Sequence, residues 1–199
     1  CFETAKAYRA LLDPYPTLAS SVMIYHPDLQ GPFDAAHLLW GPDILVGLYD
    51  CPVLVHALLD LVTETYSGWL GEWKELVGEG NQFTPHWRGM IRGGTMLRDD
   101  TAVMLNARSY RTFVQPYDQR VLDAFGGCIH FCGRGSAFLP DMATSANLFG
   151  LNMSQPDWND VAAFVHLCRE HGLIMLDLSE EYVPYGATQG VTLQRQWPS

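Results

Sequence analysis

The sequence predicts an α/β fold in which helices flank a parallel sheet. Short strand-like apolar runs alternate with longer segments of helical period, and polar residues gather where each apolar run stops. With 48% hydrophobic and 12% aromatic residues in 199, the chain can bury a sizeable core, and it reads as one globular domain over 1–199.

The first strand is expected over 21–25, ending at His26-Pro27. After the Gly31-Pro32 break comes a short helix over 33–40, then a long helix over 52–77. In the long helix Val55, Leu58, Leu59, Val62, Tyr66, Trp69, Leu70 and Trp73 recur at three- and four-residue spacing, the pattern of a core-facing stripe. The segment 93–100 holds the next strand end, followed by a helix over 107–125 that contains Pro116. Strands are expected over 128–131, 148–153 and 173–178, with a helix over 157–171 closed by Gly172. Five strands fall short of a closed eight-stranded barrel, and no linker or repeat divides the chain.

A formal charge of −10 with only twelve Lys and Arg leaves no basic stripe to neutralise phosphates, which argues against a nucleic-acid partner. Five cysteines, at 1, 51, 128, 132 and 168, are odd in number and lack the spacing of a disulfide scaffold, so reduced thiols in a cytoplasmic protein are expected. No apolar run approaches the ~18–20 residues of a membrane span, and no secretory leader is recognisable. The start at Cys1 rather than Met suggests a piece of a longer chain.

Parallel strands end on one rim, so His26, Asp99, Asp100, His130, Cys132, Asn152, Gln155 and Asp177 are expected to meet there. Within Gly127-Cys128-Ile129-His130-Phe131-Cys132-Gly133-Arg134-Gly135 the imidazole and thiol stand at i and i+2, and would leave one face of a strand together. Zinc accepts such N and S donors, and its catalytic sites typically take three protein ligands; the same pair also fits a core histidine beside an inert cysteine. Asp99 and Asp100 fit one inward acid plus one helix cap, with Arg98 beside them to hold the charge. Asn152 and Gln155 fit either substrate contacts or the turn before Pro156. Gly133-Arg134-Gly135 fits an anion site served by Arg134 or a plain strand-to-helix turn. A Gly-x-Ser-x-Gly elbow is absent.

Five segments, in order, resemble the uroporphyrinogen decarboxylase superfamily, which includes zinc- and corrinoid-dependent methyltransferases. They are Gly31-Pro32-Phe33, Leu97-Arg98-Asp99-Asp100, Tyr110-Arg111-Thr112-Phe113-Val114-Gln115-Pro116-Tyr117, Ile129-His130-Phe131-Cys132-Gly133, and Gly150-Leu151-Asn152-Met153-Ser154-Gln155-Pro156. The resemblance covers about 20–178 and implies an N-terminally incomplete (β/α)8 barrel that lacks its first two strands. Leu38 stands where the decarboxylases carry a tyrosine, so the methyltransferase branch is the closer match.

That branch implies zinc on His130 and Cys132, holding a thiol acceptor as thiolate while a corrinoid or other methyl donor supplies the methyl group. No cysteine follows Cys168, so the third ligand is expected from Asp99 or Asp177, or else is missing. Asp99 and Asp100 are the expected catalytic acids, and Asn152, Gln155, Arg134 and Asp177 the expected substrate contacts. Two alternatives stand beside this reading: uroporphyrinogen decarboxylation without a metal, through Asp100 and Arg134, and a non-catalytic corrinoid- or partner-binding barrel. Expected partners are a small molecule or a corrinoid protein and a second copy in a homodimer, with no nucleic acid and no membrane.

Overall fold

The computed structural model describes residues 1–86, 89–182 and 191–193, and its first third is helical. Helices α1 (Phe2–Leu12) and α2 (Pro16–Ala19) lead into an irregular stretch over 22–31. The strand expected over 21–25 does not form. Val22 and Met23 are exposed, and among the described residues this stretch meets the sheet only toward its end, through a backbone bond from Gly31 N to Arg98 O (2.9 Å) and the Asp28–Arg98 side-chain pair. A β-prone run stays irregular when no strand edge takes up its backbone groups.

Helix α3 (Pro32–Trp40) starts with Pro at its first position, where the missing N–H costs nothing. Helix α4 (Ile44–Asp50) follows, and α5 (Pro52–Val77) runs 26 residues to a left-handed Gly78. Its buried positions Val55, Leu59, Val62, Tyr66, Leu70 and Trp73 confirm the expected stripe. Tyr66 bonds Thr95 through its hydroxyl at 2.7 Å, tying this helix to the first sheet strand.

An unanticipated antiparallel hairpin, β1 (Phe83–His86) and β2 (Gly89–Arg92), comes next. Then β3 (Thr95–Arg98), helices α6 (Ala107–Phe113) and α7 (Gln115–Phe125), β4 (Gly127–Phe131), α8 (Leu139–Ala143), β5 (Leu148–Met153), α9 (Val161–Glu170), β6 (Ile174–Leu178) and β7 (Val191–Leu193) complete the chain order. Strands β3 to β7 lie side by side in sequence order, all parallel. The chain is thus an α/β protein. The single helix expected over 107–125 is two, because Pro116 lacks the N–H a continuous helix needs and Val114 departs to ψ −66° with φ −116°. The helix expected from 157 begins only at Val161, where Asp160 accepts from Ala163 N at 2.9 Å.

Strand alternation sends Leu97, Ile129, Phe131, Leu151 and Met175 into a core with α5, α7 and α9. Met96, Cys128 and Leu176 point the other way and are capped by Ile91 of the hairpin. Each fully buried large side chain contributes roughly 1.5–3 kcal/mol. The hairpin leaves the C-terminal half of that second face uncovered, which is where the site lies. Among the described residues no helix is long and apolar enough to cross a membrane.

Candidate metal centre

One row of register partners crosses the sheet near its C-terminal edge: Arg98 on β3, His130 on β4, Asn152 on β5 and Leu176 on β6. His130 is almost completely buried, while Cys132, just past the end of β4, is half-exposed. As the i, i+2 spacing predicts, the two side chains meet: Nε2 of His130 lies 3.1 Å from Sγ of Cys132. The third member is Asp100, whose Oδ1 lies 3.1 Å from the same Nε2. One ligand atom from each of Asp100, His130 and Cys132 falls within a common 4.8 Å.

The donor set suits zinc: one imidazole nitrogen, one sulfur and one carboxylate oxygen, with room for an exogenous fourth ligand. Metal–ligand bonds of about 2.0–2.3 Å at tetrahedral angles put ligand atoms about 3.3–3.7 Å apart, so a few tenths of an ångström of opening would admit the ion. Asp100 Oδ1 is sealed from solvent yet accepts no aligned hydrogen bond from the described residues. A lone-pair oxygen held against a ring nitrogen is stabilised by a proton or a cation between them. Burial pushes the Asp100 carboxyl up, but contact with His130, then Cys132 and Arg98, outweighs it and holds the group below the usual carboxylate range. Burial pushes the Cys132 thiol up; bonds from Ser154 and Gln155 work against this, and the Asp100 carboxylate adds to it.

His130 and Cys132 open onto a cavity of about 680 Å³, lined also by Arg98, Asn152 and Asp177 from the sheet and by His86 and Met90 from the hairpin, while Asp100 stands behind them, outside the lining. Arg98 reaches Asp28 at 2.6 Å. Asn152, which lines the cavity, is bonded at both ends of its amide, to His130 Nδ1 (2.6 Å) and to Leu176 O (2.8 Å), and so braces the His130 ring. Asp177 lines the cavity with φ +55°, outside the metal-ligating group.

Three expected site residues lie elsewhere. Asp99 is fully buried on the helix-packed side, where its carboxyl faces Asp118 and, further off, Asp34. Burial, then these neighbouring carboxyls, raise it well above its usual range; burial raises Asp118 as well, with the nearby Asp99 carboxyl working against it. Asp99 is thus turned toward this buried acid cluster and away from the rim. Arg134 is exposed and outside the cavity lining. The amides of Gly133 and Gly135 are taken by the side chains of Gln155 and Asn159, so the glycine loop is a bonded turn and not an anion cradle. Gln155 thus braces the Cys132 loop from outside the cavity lining.

Sequence reasoning favoured Asp99 over Asp100, and the structure reverses them. The ladder partner of His130 is Arg98, and Asp99 N still donates to His130 O (2.8 Å). Asp100 then opens a 3-10 helix (Thr101–Met104), which swings its side chain over the end of β4. Asn159, also unanticipated, holds Gly133 and Gly135 together through bonds of 2.8 and 2.7 Å.

No protein-family model matches this sequence, and a search of curated proteins returns no match.

Proposed function

We propose that this chain is a zinc-assisted methyltransferase acting on a thiol, built on an arc of a (β/α)8 barrel of the uroporphyrinogen decarboxylase type. The observation that carries the reading is the convergence of Asp100, His130 and Cys132 within 4.8 Å beside the cavity. The parallel strands in chain order and the His-x-Cys on β4 support it. Asp100, from the neighbouring strand end, takes the place expected for Asp99 or Asp177.

Zinc bound there would lower the pKa of an incoming thiol and keep its sulfur anionic at neutral pH. Cys132 and Asp100 supply two negative donors that balance a dication, so the substrate sulfur keeps its nucleophilic charge. His130 is buried and fixes the direction from which the third donor reaches the site. The hairpin covers the lower part of the sheet face and confines the acceptor to the rim. With a methylated corrinoid as donor, the thiol proton would pass to solvent and the thiolate sulfur would take the methyl group, the electron pair of the broken carbon–cobalt bond staying with the donor.

The test is the zinc content of the protein purified without chelators, beside its Cys132→Ser variant, with a thiol-dependent assay for loss of methyl from methylcobalamin. About one zinc per chain, lost in the variant, together with thiol methylation sustains the proposal. No zinc in either protein overturns it and moves uroporphyrinogen decarboxylation to the front.

A further inference from the structure

His130 offers two nitrogens, and only one arrangement leaves Nε2 able to bind a metal. The structure assigns Asn152 as the residue that makes that choice, a positioning role that deepens the proposed zinc site and rests on it only where metal affinity is concerned.

The argument follows from what each atom can donate. A backbone carbonyl can only accept, so the Asn152 atom 2.8 Å from Leu176 O is the amide nitrogen Nδ2. Its oxygen is therefore turned the other way, 2.6 Å from His130 Nδ1. An amide oxygen can only accept as well, so Nδ1 carries the ring proton, and in the neutral ring Nε2 carries the lone pair. That lone pair faces Cys132 Sγ and Asp100 Oδ1.

The alternative tautomer has a strong claim of its own. A carboxylate 3.1 Å from Nε2 would draw the ring proton to that nitrogen, where it would occupy the metal's position. Asn152 wins because its partner on β6 is main chain and because the three residues are consecutive register partners, His130 opposite Asn152 and Asn152 opposite Leu176. Immediately after Leu176, β6 carries one extra residue relative to β7: Met175 pairs with Val191 and Leu178 with Leu193, with Asp177 at φ +55° between them. Bulges of this kind re-aim groups beside functional sites. The relay is thus anchored in a backbone irregularity at the cavity wall.

The experiment uses metal-free protein labelled with 15N-histidine at mildly alkaline pH, where long-range proton–nitrogen correlations report which ring nitrogen is protonated. Wild type should show His130 protonated at Nδ1. Asn152→Leu, close in shape but without an acceptor, should move the proton to Nε2, whereas Asn152→Asp keeps an acceptor and should keep it on Nδ1. Zinc affinity should fall about 10–100-fold in the Leu variant, the usual cost of losing a ligand's orienting partner, and less in the Asp variant. If Leu prevents folding, Asn152→Ala serves in its place.

Wild-type protonation at Nε2, or a Leu variant that retains Nδ1–H, overturns the assignment. The metal proposal fails separately. A tautomer switch in a protein that binds no zinc would uphold Asn152 and remove the metal. Unchanged tautomer with zinc bound at full strength would do the reverse.

Discussion

Asp99 and Asp100 are neighbours in sequence with opposite chemistry, and the contrast between their two surroundings explains where a site can form. Asp100 stands on the open face with its oxygen against His130 and its carboxyl held below the usual range. Asp99 points to the sealed side, beside Asp118 and Asp34, and all three carboxyls are raised by burial. Both clusters are acidic. Among the described residues the first has an imidazole and a thiol beside its carboxylate, and that imidazole and thiol line the cavity. On the sealed side the cheaper answer to desolvation is to stay protonated.

Exchanging each acid for its amide breaks the comparison most sharply. Asp100→Asn removes one of three anchoring donors and its charge, and should weaken zinc binding by at least about 100-fold, more than loss of an orienting residue does. Asp99→Asn should leave zinc content unchanged. Competition against a calibrated chelator decides; equal zinc affinity in the two variants would place the metal elsewhere.

The sealed cluster should appear instead in stability. Burial lifts Asp34 to about 6, offset in part by the bonds its Oδ1 accepts from Thr101 N and Oγ1, both 2.8 Å. A folded-state pKa raised above the unfolded value costs nothing in acid, where both states are protonated. The cost grows as pH rises from the unfolded value through the folded one, then stays. Asp34→Asn, which keeps the acceptor, should therefore gain on the order of 3 kcal/mol at pH 7 relative to wild type and nothing near pH 3. Because Asp118 is also raised, Asp118→Asn should give a gain that continues to grow at higher pH. Urea melts across pH check this, and a gain independent of pH would mean the carboxyls are ionised as they stand.

How far the sequence disclosed these two environments follows from the range over which strand alternation holds. His130 and Cys132 were legible as a pair because Gly127–Phe131 is a regular strand and the i, i+2 rule reaches just past its end. The long helix was legible through its apolar period. Strand alternation could not decide between Asp99 and Asp100, since β3 stops at Arg98 and the next two side chains are aimed by the turn into a 3-10 helix. The hairpin escaped notice because its strands are four residues each, with Pro85 inside the first. The place of Asp100 beside His130 depends on a contact across 30 residues, which no local pattern encodes.

A smaller effect tests how closely the two sides are joined. Gly31 lies where a Cβ would stand 2.7 Å from Asp99 Oδ1 and 2.9 Å from Arg98 O. The carboxyl can rotate, but the carbonyl belongs to the β3 end that also sets Asp100. Gly31→Ala should cost roughly 1–3 kcal/mol of stability, as overpacking of a filled site does. It should also lower zinc affinity modestly, by shifting the strand end. Loss of stability with no change in zinc binding would show that the turn after Arg98 absorbs the displacement.

The smallest expected effect belongs to Arg134, which the sequence offered as an anion contact. Its side chain is exposed outside the cavity, and the neighbouring amides are already bonded to Gln155 and Asn159. Arg134→Ala should change stability by no more than about 0.5 kcal/mol, the usual range for surface positions, and leave zinc content and the methyl-transfer rate as they are. Gln155→Ala is the informative partner, because it removes the acceptor of Gly133 N and one of the bonds that restrain the Cys132 thiol. A rate or zinc loss on changing Gln155 but not Arg134 would show that the loop serves the site by holding Cys132 in place. A loss on changing Arg134 would instead mean that substrate extends beyond the cavity rim to the exposed guanidinium.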